Sequence, residues 1–196
     1  MAGCGGSKHA AAPGTTPGTT SGTGAVAPSG TSSATGAGAL QAEAQSAAAG
    51  DIPDNQVFLR FHNRAASYSM KYPEGWAQNG SGDRVTFRDK NNIVRVVVSA
   101  GSQPTVAQVR KQVTQLKGAH VTKAPASIAL GGSRAIKVVY TTLSAPNSVT
   151  GKRVRLVVDR YYLGGSGKVA IVDLGSPEGV DNVDAYRLMI ESFRWR

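Results

Sequence analysis

Beyond residue 57 the chain alternates between two hydrophobic periods, and that alternation predicts most of its elements. Val57 to Phe61 is a short apolar run, read as a first strand or a loop tucked on the core. Tyr68-Ser69-Met70-Lys71-Tyr72 alternates large apolar with polar residues, the period of a half-buried strand. Pro73-Glu74-Gly75 stops it at a turn, and Trp76 follows as a core plug. Asp83 to Asp89 alternates again, with Val85 and Phe87 on one face, and Ile93 to Ala100 returns through Asp89-Lys90-Asn91-Asn92 as the second arm of a hairpin.

The period then changes. After Pro104, which suits a first helical position, Val106, Val109, Val113 and Leu116 recur at helical spacing, predicting an amphipathic helix of about three turns with Arg110, Lys111 and Lys117 off the apolar stripe. Gly118 is placed to end it. Ser127 to Leu130 leads into a Gly131-Gly132 turn, and Arg134 to Leu143 reads as a long strand with Ile136, Val138 and Tyr140 facing one way. Ala145 to Gly151 is a loop. Arg153 to Leu163 follows as a strand, with Val154, Leu156 and Val158 inward and Arg153 and Arg155 outward. Gly164-Gly165-Ser166-Gly167 is expected as a flexible turn before a last strand, Lys168 to Leu174. Asp181 is expected to cap a closing helix with Val183, Tyr186, Ile190 and Phe193 along one side, and Trp195 to pack at the sheet edge. Strands joined by hairpin turns argue for an antiparallel sheet, hence α+β.

Composition divides the chain. Every Trp, Tyr and Phe lies after residue 57, so the core is confined to residues 53 to 196. Residues 8 to 52 are mostly Gly, Ala, Ser, Thr and Pro, too apolar-poor to offset the entropy of ordering them, and are expected to form a disordered linker. Such a linker spans roughly 35 to 40 Å, from about 5 to 6 Å times the square root of its length. Residues 1 to 7 hold the only cysteine, Cys4, between Met1-Ala2-Gly3 and Gly5-Gly6-Ser7. Small residues before a lone cysteine and a soft stretch after it resemble the processing site of bacterial lipoproteins, which implies a lipidated Cys4 and a membrane as partner. Two acyl chains at about 0.8 kcal/mol per buried methylene suffice for stable anchoring. Export needs a basic and then an apolar segment, so the expectation is that the start has been placed too late or that a precursor has been trimmed.

A single cysteine leaves no internal disulfide and no multi-cysteine zinc site. Over residues 5 to 50 Lys8 and Glu43 are the only charges and cancel, so the net charge of +10 belongs to the rest of the chain and points to anionic surroundings; nucleic acid is not expected beside an exported, tethered protein.

Tyr68 to Trp76, Val85-Thr86-Phe87-Arg88-Asp89, Val96-Val97-Val98 and the ending Ser192-Phe193-Arg194-Trp195 together resemble the PsbP-like family, over roughly residues 57 to 196. The resemblance implies a central antiparallel β-sheet flanked by helices on both faces. It also implies a tethered lipoprotein without assigned chemistry, and the composition suits an actinobacterium.

No catalytic residue, metal or cofactor is expected. His9, His62 and His120 lack ligand spacing, no Gly-x-Ser-x-Gly elbow exists, and Gly164 to Lys168 joins two strands rather than a strand and a helix. Lys137, Arg153 and Arg155 are candidate ligand-binding residues on a basic sheet face, with Tyr162 (or its neighbour Tyr161) as an exposed stacking platform. Two functions follow: a monomeric, extracytoplasmic accessory or scaffolding subunit that binds an envelope protein, or a module for an anionic envelope lipid or wall polymer.

Overall fold

A computed structural model describes residues 49–147 and 149–196, together with positions 38, 40, 41 and 45. The expected lipidation site Cys4 and most of the expected linker lie outside the described residues. From residue 50 onward, the described residues form a mostly β fold with two short helices.

Seven strands make one antiparallel sheet. In spatial order they are β3 (Ala77–Ser81), β4 (Arg84–Asp89), β5 (Asn92–Ala100), β9 (Lys168–Pro177), β8 (Arg155–Gly165), β7 (Ser133–Leu143) and β6 (His120–Leu130). A separate three-stranded sheet orders β1 (Phe58–Asn63), β2 (Tyr68–Pro73) and β10 (Arg194–Trp195). Helix α1 is Val106–Val113 and α2 is Val183–Glu191.

Strand alternation sorts the core into two sets of contacts. Tyr161 and Leu163 of β8, with Ala170, Val172 and Leu174 of β9, join the largest cluster beneath Tyr68, Met70 and the α2 residues Tyr186, Met189 and Ile190. The neighbouring positions Ile136, Val138 and Tyr162 pack instead with Val109 and Val113 of α1. A third small cluster, Tyr140, Leu156 and Val158, lies beyond α1 at one end of that second face.

Several expectations change in detail. Helix α1 is only eight residues long and is capped by Thr105 rather than begun by Pro104. Thr105 Oγ1 accepts from the Gln108 backbone N–H at 3.2 Å, and Gln108 Oε1 accepts from the Thr105 N–H at 2.7 Å, a reciprocal capping box. The N-cap of α2 is Asn182, not Asp181; Asp181 Oδ1 accepts from the Val183 N–H at 3.2 Å, and Val183 is exposed. β3 has no apolar alternation, since all five of its side chains are exposed, and its pairing with β4 alone defines it. β6 extends back to His120 through two register irregularities around Lys123 and Pro125, which an edge strand tolerates.

Gly164 and Gly165 belong to β8, and the turn is Ser166-Gly167, both at positive φ (52° and 69°). These two glycines serve close approach: a Cβ on Gly165 would collide with the Trp195 ring, and one on Gly164 would meet Gln103 at 2.7 Å. Trp195 therefore seats over the end of β8 because Gly165 has no side chain.

Order begins earlier than composition suggests. Gly50 and Ile52, inside the expected linker, are both buried. Asn182 is the hub of a buried polar knot: its Oδ1 accepts from the Ile52 N–H at 2.8 Å, and its Nδ2 lies within bonding distance of Gly50 O, Asn92 Oδ1 and Ser176 Oγ. Asn92 donates to the same Gly50 carbonyl. Replacing one member strands several buried partners, each costing about 1 to 3 kcal/mol. Asn182→Ala is expected to lower unfolding free energy by about 3 kcal/mol in urea denaturation; a loss below about 0.5 kcal/mol would refute the knot's structural weight.

Candidate functional site

The face that α1 packs against is not covered to its end. The uncovered end is a cleft of about 330 Å³ between the β4–β5 turn, the loop after α1 and the β7–β8 connection. Ligand pockets commonly run from about 300 to 1,000 Å³, so this one suits a compact group with a short apolar portion.

Its floor is apolar. Ile93, Tyr140, Leu156 and Val158 alternate inward from three strands, and Leu116 and Ala119 close one side. Gly175, paired with both Ile93 and Val158, deepens it: a Cβ there would sit 2.9 Å from the Ile93 side chain.

The inner wall is ionic. Register places Arg95, Asp173 and Arg160 side by side on β5, β9 and β8. Arg160 grips Asp173 with two parallel bonds, Nε to Oδ1 at 2.6 Å and Nη2 to Oδ2 at 2.9 Å. Arg95 donates to Oδ2 from Nη2 at 2.6 Å and Nε at 3.1 Å. Asp173 is buried at 3% exposure, which a carboxylate sustains only with partners of this quality. One carboxylate between two guanidiniums leaves a net positive charge, and 43% of the Arg95 side chain stays exposed. Arg160 also lies 5.3 Å over the Tyr140 ring, a cation–π contact. Burial works against the Arg160 charge, but the hydrogen bonds and charge of Asp173 win and raise its pKa further above its ordinary value. Burial pushes the Tyr140 hydroxyl up to about 12, with the Asp173 carboxylate adding to it, so it stays neutral at physiological pH. Arg88, Lys90 and Lys117 complete the cationic lining, in which Asp173 is the only acid.

The residues anticipated from sequence do not gather here. Lys137 pairs in register with Tyr161, and so lies on the β7–β8 face opposite Tyr162. Its Nζ meets Asp159 Oδ2 at 2.6 Å and lies 5.2 Å over the Tyr161 ring. Arg155 faces the solvated Glu178 at 3.6 Å. Arg153 precedes β8 and donates to the Ser144 carbonyl. An uninterrupted cationic face over Lys137 and Arg155 is therefore replaced by two ion pairs. Neither Tyr161 nor Tyr162 is a stacking platform: they are 6% and 1% exposed, because the two sides of β8 are both covered at that level. The periodicity of β5, β8 and β9 carried the signal for the real cluster, as Arg95, Arg160 and Asp173 each occupy a position that alternation assigns to a buried face.

His62 is exposed on β1; desolvation first, then Arg196, Arg60 and Arg64, lower its pKa. Neither His62 nor His120 forms an ion pair with a carboxylate among the described residues. Among those residues no cluster of His, Cys, Asp or Glu is arranged to hold a metal ion.

The fold has counterparts among known structures. The chain superimposes on cyanobacterial PsbP (CyanoP) from Synechocystis with a TM-score of 0.52 and 18% identity, covering 75% of this chain and 98% of that one. The fold is PsbP-like. Weaker similarity is found to a Bacteroides thetaiotaomicron protein (TM-score 0.46, 15% identity), over 70% of this chain and 48% of that one, so the chain spans about half its length. LpqN of Mycobacterium tuberculosis, described as involved in cell envelope biogenesis, matches with a TM-score of 0.41 and 14% identity over 71% of this chain and 91% of that one. No family model matches the chain, and no curated protein does.

Two measurements test the electrostatics. Asp173→Asn removes the charge that two guanidiniums share and is expected to cost about 3 kcal/mol, read from denaturant midpoints. The Lys137–Asp159 pair is part-exposed and stabilises by under about 1 kcal/mol. Burial lowers the Lys137 pKa, but hydrogen bonds that Lys137 donates to Asp159 and Tyr161 raise it overall. A raised folded pKa makes this contribution full below pH 10.5 and lost as pH rises through the folded value. Lys137→Met should thus lower stability at pH 8 and converge with the parent in strong alkali; a gap that widens with pH would contradict the pair.

Proposed function

We propose that this protein is a non-catalytic, extracytoplasmic accessory module of the bacterial cell envelope, held on the membrane through a lipidated Cys4, and that it works by binding. Of the two occupants the sequence leaves open, an envelope protein and an anionic lipid or polymer, the cleft favours the second. The observation that carries this is the pairing of an apolar floor with a cationic wall. Ile93, Leu156 and Val158 offer a surface for hydrocarbon, while the Arg95 side chain stays 43% exposed beside Arg88, Lys90 and Lys117. Such a site matches a ligand with one anionic group and an adjoining apolar stretch.

The same residues argue against catalysis. Asp173, the one carboxylate in the lining, spends both oxygens on two guanidiniums, and Tyr140 with a pKa near 12 is a poor proton donor or acceptor at neutral pH. Lysine and arginine supply charge, and no nucleophile is paired with a base in the cleft. The PsbP-like fold is compatible with this reading, though a fold hosts many functions. We further read the two helices as lying on opposite faces of the main sheet, with α1 the one that borders the cleft.

The test is calorimetric titration with dihexanoylphosphatidylglycerol as monomers, against its phosphatidylcholine counterpart. Binding should favour the anionic lipid and weaken at about 1 M salt, where the screening length falls to ~3 Å. Arg95→Ala should weaken it by about 10-fold or more, the value of a hydrogen bond to a charged group. Equal affinity for the choline lipid would sink the proposal.

A further inference from the structure

We propose that the mouth of the cleft is a membrane-docking face, so that the anionic group it receives belongs to a lipid of an anionic bilayer. This rests on the reading of the cleft above and adds the source of its ligand. The β7–β8 connection carries the argument. Leu143, at the end of β7, lines the cleft yet is 56% exposed, and Val149 further along the same connection is 90% exposed. The segment from Leu143 to Arg155 contains Lys152 and Arg153 but no acidic residue. Arg153 donates to the Ser144 carbonyl at 3.2 Å, and Ser144 Oγ accepts from the Val154 N–H at 3.1 Å, tying the two arms together at the cleft wall. Asn147 Oδ1 accepts from the backbone N–H groups of Val149 and Thr150, at 3.0 and 2.9 Å, so the tip is shaped around one side chain.

Across the cleft stand Arg88, Lys90 and Lys117. Two outward apolar side chains are thus flanked by five cations, Arg88, Lys90, Lys117, Lys152 and Arg153. An anionic bilayer rewards both features at once, since basic residues near it gain electrostatic attraction and apolar side chains leave water for the interface. Leu188, another exposed apolar side chain near a groove, contrasts with this: it borders Asp184 and Glu191 as well as Arg60, Lys71 and Arg187. Charge complementarity therefore singles out the cleft mouth. The path of the chain agrees. Gly50 is bonded to Asn92, the first residue of β5, whose next residue and preceding turn wall the cleft. Gly50 therefore sits at the cleft's end of the sheet, and a membrane anchor ahead of it would hold this end toward the lipid.

The test uses the full chain, expressed with Cys4 as a free thiol, sedimented with vesicles of phosphatidylcholine alone or mixed with phosphatidylglycerol. Binding to the mixed vesicles and not to the zwitterionic ones is expected. Val149→Ser should weaken it by about tenfold, the scale of removing one valine from a buried apolar contact, and Val149→Trp should strengthen it. Val149 lies outside the cleft, so neither variant should change the affinity for monomeric dihexanoylphosphatidylglycerol. Vesicle binding unchanged in Val149→Ser would overturn docking through this loop. Affinity for the monomeric lipid without vesicle binding would overturn the bilayer as source and leave the cleft reading intact. Vesicle binding that depends on Val149, without affinity for the monomeric lipid and indifferent to Arg95→Ala, would sink the cleft reading and with it the assignment of the headgroup.

Discussion

The Asp173 carboxylate, held between Arg160 and Arg95, is the constraint on which the arrangement of this molecule turns. β9 is the middle strand of the seven, and one of its sides faces the main core through Ala170, Val172 and Leu174. Its other side carries a charge at 3% exposure. That charge is tolerable only if both flanking strands supply a guanidinium in register, and β5 and β8 do so. The three strands are thereby fixed in phase, because a slip of one residue would turn Arg95 or Arg160 into the opposite face and leave the carboxylate unpaired. The row also marks a boundary on the sheet. On one side of it α1 packs on Ile136, Val138 and Tyr162, and on the other the sheet opens into the cleft.

Much of the fold was legible because it obeys simple periods. The alternation in Val85 and Phe87, in Ile136, Val138 and Tyr140, and in Leu156 and Val158 corresponds to buried positions on β4, β7 and β8. The Gly131-Gly132 pair, with both φ angles positive, is the turn between β6 and β7. Elements that were missed lack a period. β3 buries nothing, and the part of β6 before Ser127 is interrupted by Pro125 and by two shifts of register, so backbone pairing to a neighbour creates both. Gly164 and Gly165 resembled a loop because sequence shows only that they lack side chains. That the missing volume is occupied by Gln103 and Trp195 is a fact of tertiary packing.

The site was less legible than the fold, for a physical reason. Sequence ranks charged residues by the strand face they would share, and on that basis Lys137, Arg153 and Arg155 stood out. Whether a charge is available depends on what lies across from it on a neighbouring strand. Lys137 meets Asp159, and Arg155 meets Glu178, from partners 22 and 23 residues away along the chain. Arg95 and Asp173 stand within apolar strands at positions alternation turns inward, but only the register of β5 with β9 brings them together. The tyrosine pair shows the same limit: alternation correctly separates Tyr161 from Tyr162, but says nothing about how many faces are covered.

The cleft and the polar knot at Gly50 lie at the same end of the sheet, and their proximity links position to binding. Asn92 presents its side chain to the knot, while Ile93, the next residue on β5, turns the other way into the cleft floor. A single strand thus fastens the incoming chain on one face and shapes the cleft on the other. The purpose of the knot is then more than stability. Three buried polar side chains, Asn182, Asn92 and Ser176, fix the chain where it enters the domain at Gly50 and Ile52. Under the proposed reading, an anchor ahead of Gly50 would bring this end of the sheet, with the cationic rim and the outward Leu143 and Val149, toward the lipid. For the proposed membrane-bound module, a fixed point of entry would restrict the search that binding has to complete.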